Sequence, residues 1–306
     1  MLAGACLPVW SLLSCSPRTP AMTAEESQYV QKLTSRMRTR CIGRHLIDLP
    51  EAFELNPVDR VEIEGVEVSI RPLSQAWFEH RLERRTQELK NEVIDVIRKE
   101  PVLMDMRAVP EGIGRVFNRA DGYAFARIWE LMAWRDGFYI HMEVDAVDMS
   151  KTERLGKDDT LRTDVEEKYT HLLNVYRRLR GRREEEIPSE PGDCFAHGFW
   201  MGAQAEAAEF SVNYHLMGAP DVYINLFSVS GDEGVARPET GLMQRRKDIE
   251  RQTRMAGIKL LRFAPRTIGG HAYEESIGRE PAEVSSARVA GHTAIIESVR
   301  NFVCEA

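Results

Sequence analysis

Residues 61–71, VEIEGVEVSIR, constrain the fold more tightly than any other stretch of the chain. Val61 and Ile63 alternate with glutamates, Glu64-Gly65 provides a turn, and Val66, Val68 and Ile70 alternate again. A period of two puts the apolar side chains on one face, and a turn pair between two such runs predicts an antiparallel hairpin. Residues 74–100 read as a long helix to lie against it. Ser74 takes the N-cap position, Phe78, Leu82, Leu89, Val93 and Ile97 form one stripe, and Pro101 marks the stop. Two more strands meet at Arg135-Asp136-Gly137: residues 123–134, then FYIHMEV, in which Phe138, Ile140, Met142 and Val144 share a face. The first half is therefore predicted to be a sheet with a helix against it.

The remaining segments extend this pattern. Residues 24–37 read as a short helix leading into a strand with an early cysteine, CIGRHLIDLP. A second helix is predicted over residues 159–180, where Leu161, Val165, Tyr169, Leu172, Tyr176 and Leu179 recur at helical spacing and arginines suit the last turn. The acidic, proline-bearing tract 184–192 marks a domain boundary, and it reads as a solvated linker because its charges nearly cancel those of the preceding RRLRGRR. Beyond it Cys194 opens the strand CFAHGFWMG. Phe210, Val212, Tyr214 and Leu216 then alternate, MGAPD turns, VYINLFSV returns, and a helix over residues 239–255 precedes the strand IKLLRFAPR. A strand with a cysteine, a hairpin, a helix and further strands thus occur twice in the same order, an echo of architecture with slight residue identity. The predicted fold class is α+β (mixed α/β), with a leader at 1–21, an N-terminal α+β domain at 22–183, the linker at 184–192 and a C-terminal α+β domain at 193–306. Each domain is an antiparallel or mixed sheet with packed helices.

A length of 306 residues suits two domains, and 43% hydrophobic with 29% charged residues is an ordinary globular balance. A net charge of -7 and a pI near 5.7 give no electrostatic footprint for nucleic acid. The start of the chain differs. LAGACLPVWSLLSC carries no charge, is too short to cross a bilayer, and ends in a small residue followed by cysteine, like a secretory signal and its cleavage zone. Leu12-Leu13-Ser14-Cys15 is similar to a bacterial lipobox, which makes Cys15 the lipidation candidate and a periplasmic, membrane-attached protein the expectation. No Lys or Arg precedes the apolar run; a start further upstream and a start at Met22 are the alternatives.

No catalytic or metal-binding spacing is present. There is no G-x-S-x-G elbow, and EGIGRV (residues 111–116) lacks the third glycine and the lysine of a phosphate-binding loop, so it reads as a turn before a strand. The eight histidines are scattered, none in H-E-x-x-H, and no two cysteines are two residues apart. His141 reads as a surface or cross-strand hydrogen-bonding residue, and His197 and His215 as a structural pair on neighbouring strands. Asp232-Glu233 supplies too few oxygens for Ca²⁺ and reads as a turn, and the aromatics at 195–200 read as strand core. No cofactor and no metal is expected. If the leader is removed, Cys41, Cys194 and Cys304 enter an oxidising compartment. Cys41 and Cys194 occupy matching positions in the two halves. A disulfide between them would close a very long loop and contribute about 2 to 4 kcal/mol; two buried reduced thiols are the other state of the pair.

The chain resembles the immunity proteins that protect bacteria from lipase effectors of the type VI secretion system. The resemblance lies in CIGRHLIDLP, DCFAHGFW, HLMGAPDVYINL, the helix start GLMQRRKDI and IKLLRFAPRTIGGHAYEE, which together span residues 41–275. It implies a two-domain α/β clamp in the periplasm that binds a secreted lipase or phospholipase effector and keeps its active site closed or covered. It carries over no active-site residues, because the family's work is binding. Residues 276–306 depart from it, reading as irregular where further strands and a closing helix are expected. Two other functions compete on the residues alone: an envelope lipoprotein holding a small molecule in an interdomain cleft, and a hydrolase with a dispersed site.

Overall fold

The computed structural model describes residues 23–56, 60–95, 100–151, 162–230, 243, 246–255, 259–268, 271–279 and 292–298. Helix α1 (Ala24–Leu33) precedes the hairpin β1–β2 (Met37–Ile42, His45–Pro50) and the short strand β3 (Phe53–Leu55). The hairpin β4–β5 (Arg60–Ile63, Val66–Pro72) leads into α2 (Gln75–Asn91), then β6 (Val93–Asp95) and β7 (Glu100–Pro101). A meander follows: β8 (Leu103–Ala108), β9 (Ile113–Asp121), β10 (Tyr123–Arg135) and β11 (Phe138–Val147). After α3 (Val165–Arg177) come β12 (Leu179–Gly181), the hairpin β13–β14 (Gly192–Phe195, Gly198–Met201) and the hairpin β15–β16 (Ala208–Leu216, Ala219–Ser230). The last elements are α4 (Arg246–Met255), β17 (Lys259–Ile268), β18 (His271–Arg279) and β19 (His292–Ser298).

Two compact units result. In the unit Gln31–Val235, a large antiparallel sheet runs in the order β16-β15-β4-β5-β11-β10-β9-β8, with β3 beside β15. The two hairpins expected at Glu64-Gly65 and Asp136-Gly137 are present, and both residues of each turn have positive φ, as a tight twisted hairpin requires. The period of two then sorts the side chains. On one face Val61, Ile63, Val66, Val68, Ile70, Trp129, Leu131, Ile140 and Met142 pack under α3 through Leu172, Val175 and Tyr176. On the other, Phe117, Met132 and Tyr139 pack under α2 through Phe78 and Leu89. The start of α3 is fixed by Trp129, whose Nε1 donates to the Val165 carbonyl at 2.7 Å. In the other unit, which takes the stretch Ala236–Asn301 together with the chain up to Val30, β17, β18 and β19 form an antiparallel sheet and Arg246 of α4 lies over the Phe263 ring.

Several predicted boundaries are corrected. The helix expected over 74–100 ends at Asn91, because the β-branched pair Val93-Ile94 passes into β6 and the Glu92 carbonyl accepts the Val102 N–H at 3.1 Å. The helix expected over 24–37 ends at Leu33, and CIGRHLIDLP, expected as one strand, belongs to a hairpin that turns at Gly43, where φ is 54°. The helix expected from 159 begins at Val165: the Asp164 carboxylate accepts the Val147 N–H at 2.7 Å, tying the chain to β11 first. It ends at Arg177, and Leu179 passes into β12. The expected helix over 239–255 is seen as Arg246–Met255. CFAHGFWMG is a hairpin, β13–β14, in place of one strand. The stretch after 276, read as irregular, contributes the end of β18 and all of β19, because a paired edge organises residues whose own alternation is weak.

Gly114 of β9 lies where no side chain fits. A Cβ there would overlap the Met132 carbonyl oxygen and come within 2.8 Å of the Ala133 Cα. Gly114→Ala is expected to destabilise the unit by about 2 kcal/mol, seen as a lower urea midpoint with an unchanged slope.

Candidate functional site

Cys41 on β1 and Cys194 on β13 are joined by a disulfide across 153 residues, with their Cα atoms 5.6 Å apart. Backbone hydrogen bonds in both directions between Gly43 and Cys194 reinforce the junction. Around it Arg40, only 2% exposed, pairs with Glu184, donates to the Phe53 carbonyl at 3.0 Å and lies over the Tyr214 ring. Arg182, also buried, donates to the carbonyls of Arg183, Glu184, Glu186, Phe195 and Ala196. The stretch that composition marks as a solvated linker thus begins on two buried arginines, and β15 beyond it pairs with β4.

On the α2 side of the sheet a carboxylate lies inside an apolar run. Glu130 of β10, 3% exposed, receives Arg85 of α2 in a two-pronged bond, Nε to Oε1 at 3.0 Å and Nη2 to Oε2 at 2.7 Å. Arg119 of β9 adds Nε at 3.0 Å to Oε2 and reaches Glu143 of β11 with Nη2 at 3.0 Å, while His141 Nε2 stands 3.4 Å from Glu130. Burial pushes the Glu130 carboxyl up, but the hydrogen bonds from His141 and Arg85 outweigh it and hold the group at about 2. A carboxyl whose folded pKa is depressed stabilises the fold above its unfolded pKa near 4.5 and loses that contribution as pH falls through 4.5 towards 2. The wild-type melting temperature is therefore expected to fall between pH 5 and pH 3 more steeply than that of Glu130→Gln, which a pH series of thermal melts checks.

Glu130, His141 and Glu143 have ligand atoms within 4.8 Å of one another. Two guanidinium groups already occupy both Glu130 oxygens, so the cluster fits an ion-pair network better than a metal centre. Ser69 lies opposite His141 in the ladder, and no hydrogen bond between their side chains is among the contacts of the described residues. Glu130 also ends a row: Glu209, Glu62, Glu67, Glu143 and Glu130 occupy successive paired positions across β15, β4, β5, β11 and β10. At roughly 4.8 Å per strand this is a carboxylate stripe about 19 Å long on one sheet face, with the two arginines at the α2 end.

The other sequence candidates occupy structural positions. His197 sits at the β13–β14 turn, where burial pushes its imidazole pKa down, its Nδ1 without a hydrogen bond among the described residues. His215 is on β15 opposite Glu54, so the two histidines are not on hydrogen-bonded neighbours. Phe195 and Trp200 belong to the α3-side core, and EGIGRV turns at Gly112 into β9. Cys15, Asp232 and Glu233 lie outside the described residues. The Arg85–Glu130–Arg119 network was not anticipated, although a lone glutamate inside IWELMAW was its available signal. Among the described residues no helix is long and apolar enough to cross a membrane.

Models of the Tle cognate immunity protein 4 N-terminal and C-terminal domains match residues 38–182 and 186–301. The chain belongs to this family. Both family domains and the mixed, mostly antiparallel α+β architecture expected from the sequence are present. No curated protein matches the chain. Among solved structures, a chain of the Tle4-Tli4 complex is similar at 17% identity and a TM-score of 0.61, over 87% of this chain and 83% of that one. The apo immunity protein TplEi of the type VI secretion system from Pseudomonas aeruginosa is similar at 18% identity and a TM-score of 0.59, over 86% and 83%. The same TplEi complexed with an "L" peptide reaches 0.54 at 17% identity over 86% and 83%. At these identities the likeness is one of fold.

Proposed function

We propose that this chain protects the cell that makes it by binding and inhibiting a lipase or phospholipase effector of the type VI secretion system in the periplasm. The observation that carries the reading is membership of the Tle cognate immunity protein 4 family through both of its domains. The physical chemistry suits the role. Blocking a toxin takes a broad complementary surface, about 800 Å² per partner, and no local motif. The net charge of -7 would speed encounter with a basic partner face, and Trp77 on α2, 68% exposed, is of the residue type that anchors interfaces. Inhibition requires no turnover. The dispersed hydrolase is disfavoured because Glu130, the buried acid nearest to His141, is held by two arginines. Lipidation of Cys15 would keep the protein at the membrane where the effector acts.

The reading predicts a lipase gene beside this one, and directing its product to the periplasm tests it. Cells that also make the full chain are expected to survive, cells making it without residues 1–21 are expected to die, and equal killing with and without the full chain would refute the assignment.

A further inference from the structure

Between the C-terminal end of α2 and the β9–β10 turn lies a recess of about 410 Å³. Leu89, Val93 and Ile94 give it an apolar wall, and Arg85 and Arg119 reach it from one side. Those two guanidinium groups are bound to Glu130 and Glu143, so four charges cancel within hydrogen-bond distance. Glu92 and Asp121, which also line the recess, have no ion pair among the described residues, and both are exposed. Among the described residues the recess therefore has an apolar side, a neutralised cationic side and two negative charges without an ion pair. Tyr123 follows the lining residue Gly122 in the chain and is 70% exposed, its ring stacked on Phe125 at 5.8 Å and 19°. A ring held by a stacking neighbour has little rotamer freedom left to lose on binding, which suits an anchor.

We propose that this recess, with Tyr123 next to its lining residue Gly122, receives one basic side chain, an arginine or lysine, from the surface of the lipase effector; the proposal rests on reading the chain as that effector's inhibitor. The methylene stem of such a residue covers the wall at Leu89, Val93 and Ile94, while its head group meets the carboxylates of Glu92 and Asp121 and the face of Tyr123. An anion has no place there, since both arginines are already engaged. The long stem separates an arginine or lysine from a bare metal ion, for which the apolar wall would serve no purpose.

The test is calorimetric binding of the lipase expected to be encoded beside this gene to the full chain and to Glu92→Lys, Asp121→Lys and Tyr123→Ala, each with a thermal melt. All three positions are exposed, so unchanged melts are expected. Each charge reversal should weaken binding about tenfold or more, and Tyr123→Ala by a similar factor. If a lysine variant fails to fold, Glu92→Gln and Asp121→Asn replace it with the same expected direction. Affinity kept within about twofold by all the folded variants would overturn the recess and leave the inhibitor reading intact. Absence of any binding by the wild-type chain would overturn both, and Mg²⁺ or Ca²⁺ alone shifting the wild-type melt but not that of Asp121→Asn would show a cation site in its place.

Discussion

Glu130→Ala should lower the unfolding free energy by about 3 kcal/mol in urea at pH 7. The reason is what stays behind. Arg85 and Arg119 converge on the same carboxylate from α2 and β9, and without it Arg119 keeps only the partly exposed Glu143 and Arg85 only a 3.7 Å contact with the exposed Glu88. Removing one member of a buried ion network costs more than the network contributes in total, because the orphaned charges keep their desolvation penalty. Both arginines retain some solvent contact, which keeps the loss towards the low end for buried pairs. Glu130→Gln keeps the shape and some hydrogen bonding and should lose less. Glu166→Ala is the contrast: it removes a two-pronged bond to Arg107, but Glu166 is largely exposed, so about 1 kcal/mol or less is expected. A Glu130→Ala loss no greater than that of Glu166→Ala would show that the network does not hold α2 to the sheet.

Cys41→Ser, or reduction of the wild type, should cost about 2 to 4 kcal/mol. The bond closes a loop of 153 residues, so cutting it restores much freedom to the unfolded chain while leaving the folded contacts almost untouched. The backbone pair between Gly43 and Cys194 still holds the β1 hairpin to β13, the Arg40–Glu184 contact ties β1 to the loop before β13, and the reduced protein should therefore stay folded at room temperature with a lower melting temperature. Cys41→Ser, Cys194→Ser and the double variant should be equally destabilised, since each removes the same cross-link. Nonreducing peptide mapping, together with melts in the presence and absence of a reductant, checks this. Free thiols at both positions in periplasmic material, or a melt indifferent to the reductant, would remove the cross-link from the account.

The strands were the most legible part of this chain, because local alternation and turn chemistry agree there. VEIEGVEVSIR and the Arg135-Asp136-Gly137 junction read directly as hairpins. Helix ends were less legible. Val93 and Leu179 continue the apolar spacing of their helices, yet each passes into a strand, Val93 paired with Pro101 and Leu179 with Trp200, and spacing alone does not report those partners. The carboxylate row is illegible for the same reason: Glu209, Glu62, Glu67 and Glu143 look like ordinary solvent-facing residues of their own strands, and only the register brings them into line with Glu130. Family membership was readable because it rests on whole segments such as CIGRHLIDLP and DCFAHGFW. A binding surface leaves no comparable mark, since aromatic and arginine anchors have the same letters as core aromatics such as Trp129 and network arginines such as Arg119.

The most direct measurement titrates the purified chain into the lipase effector that the proposed function expects beside it while phospholipid hydrolysis is followed. Activity should fall linearly and vanish at one molar equivalent, with both proteins eluting as a single 1:1 species. Undiminished hydrolysis at a large excess of the chain, or phospholipid turnover by the chain alone, would contradict inhibition by binding.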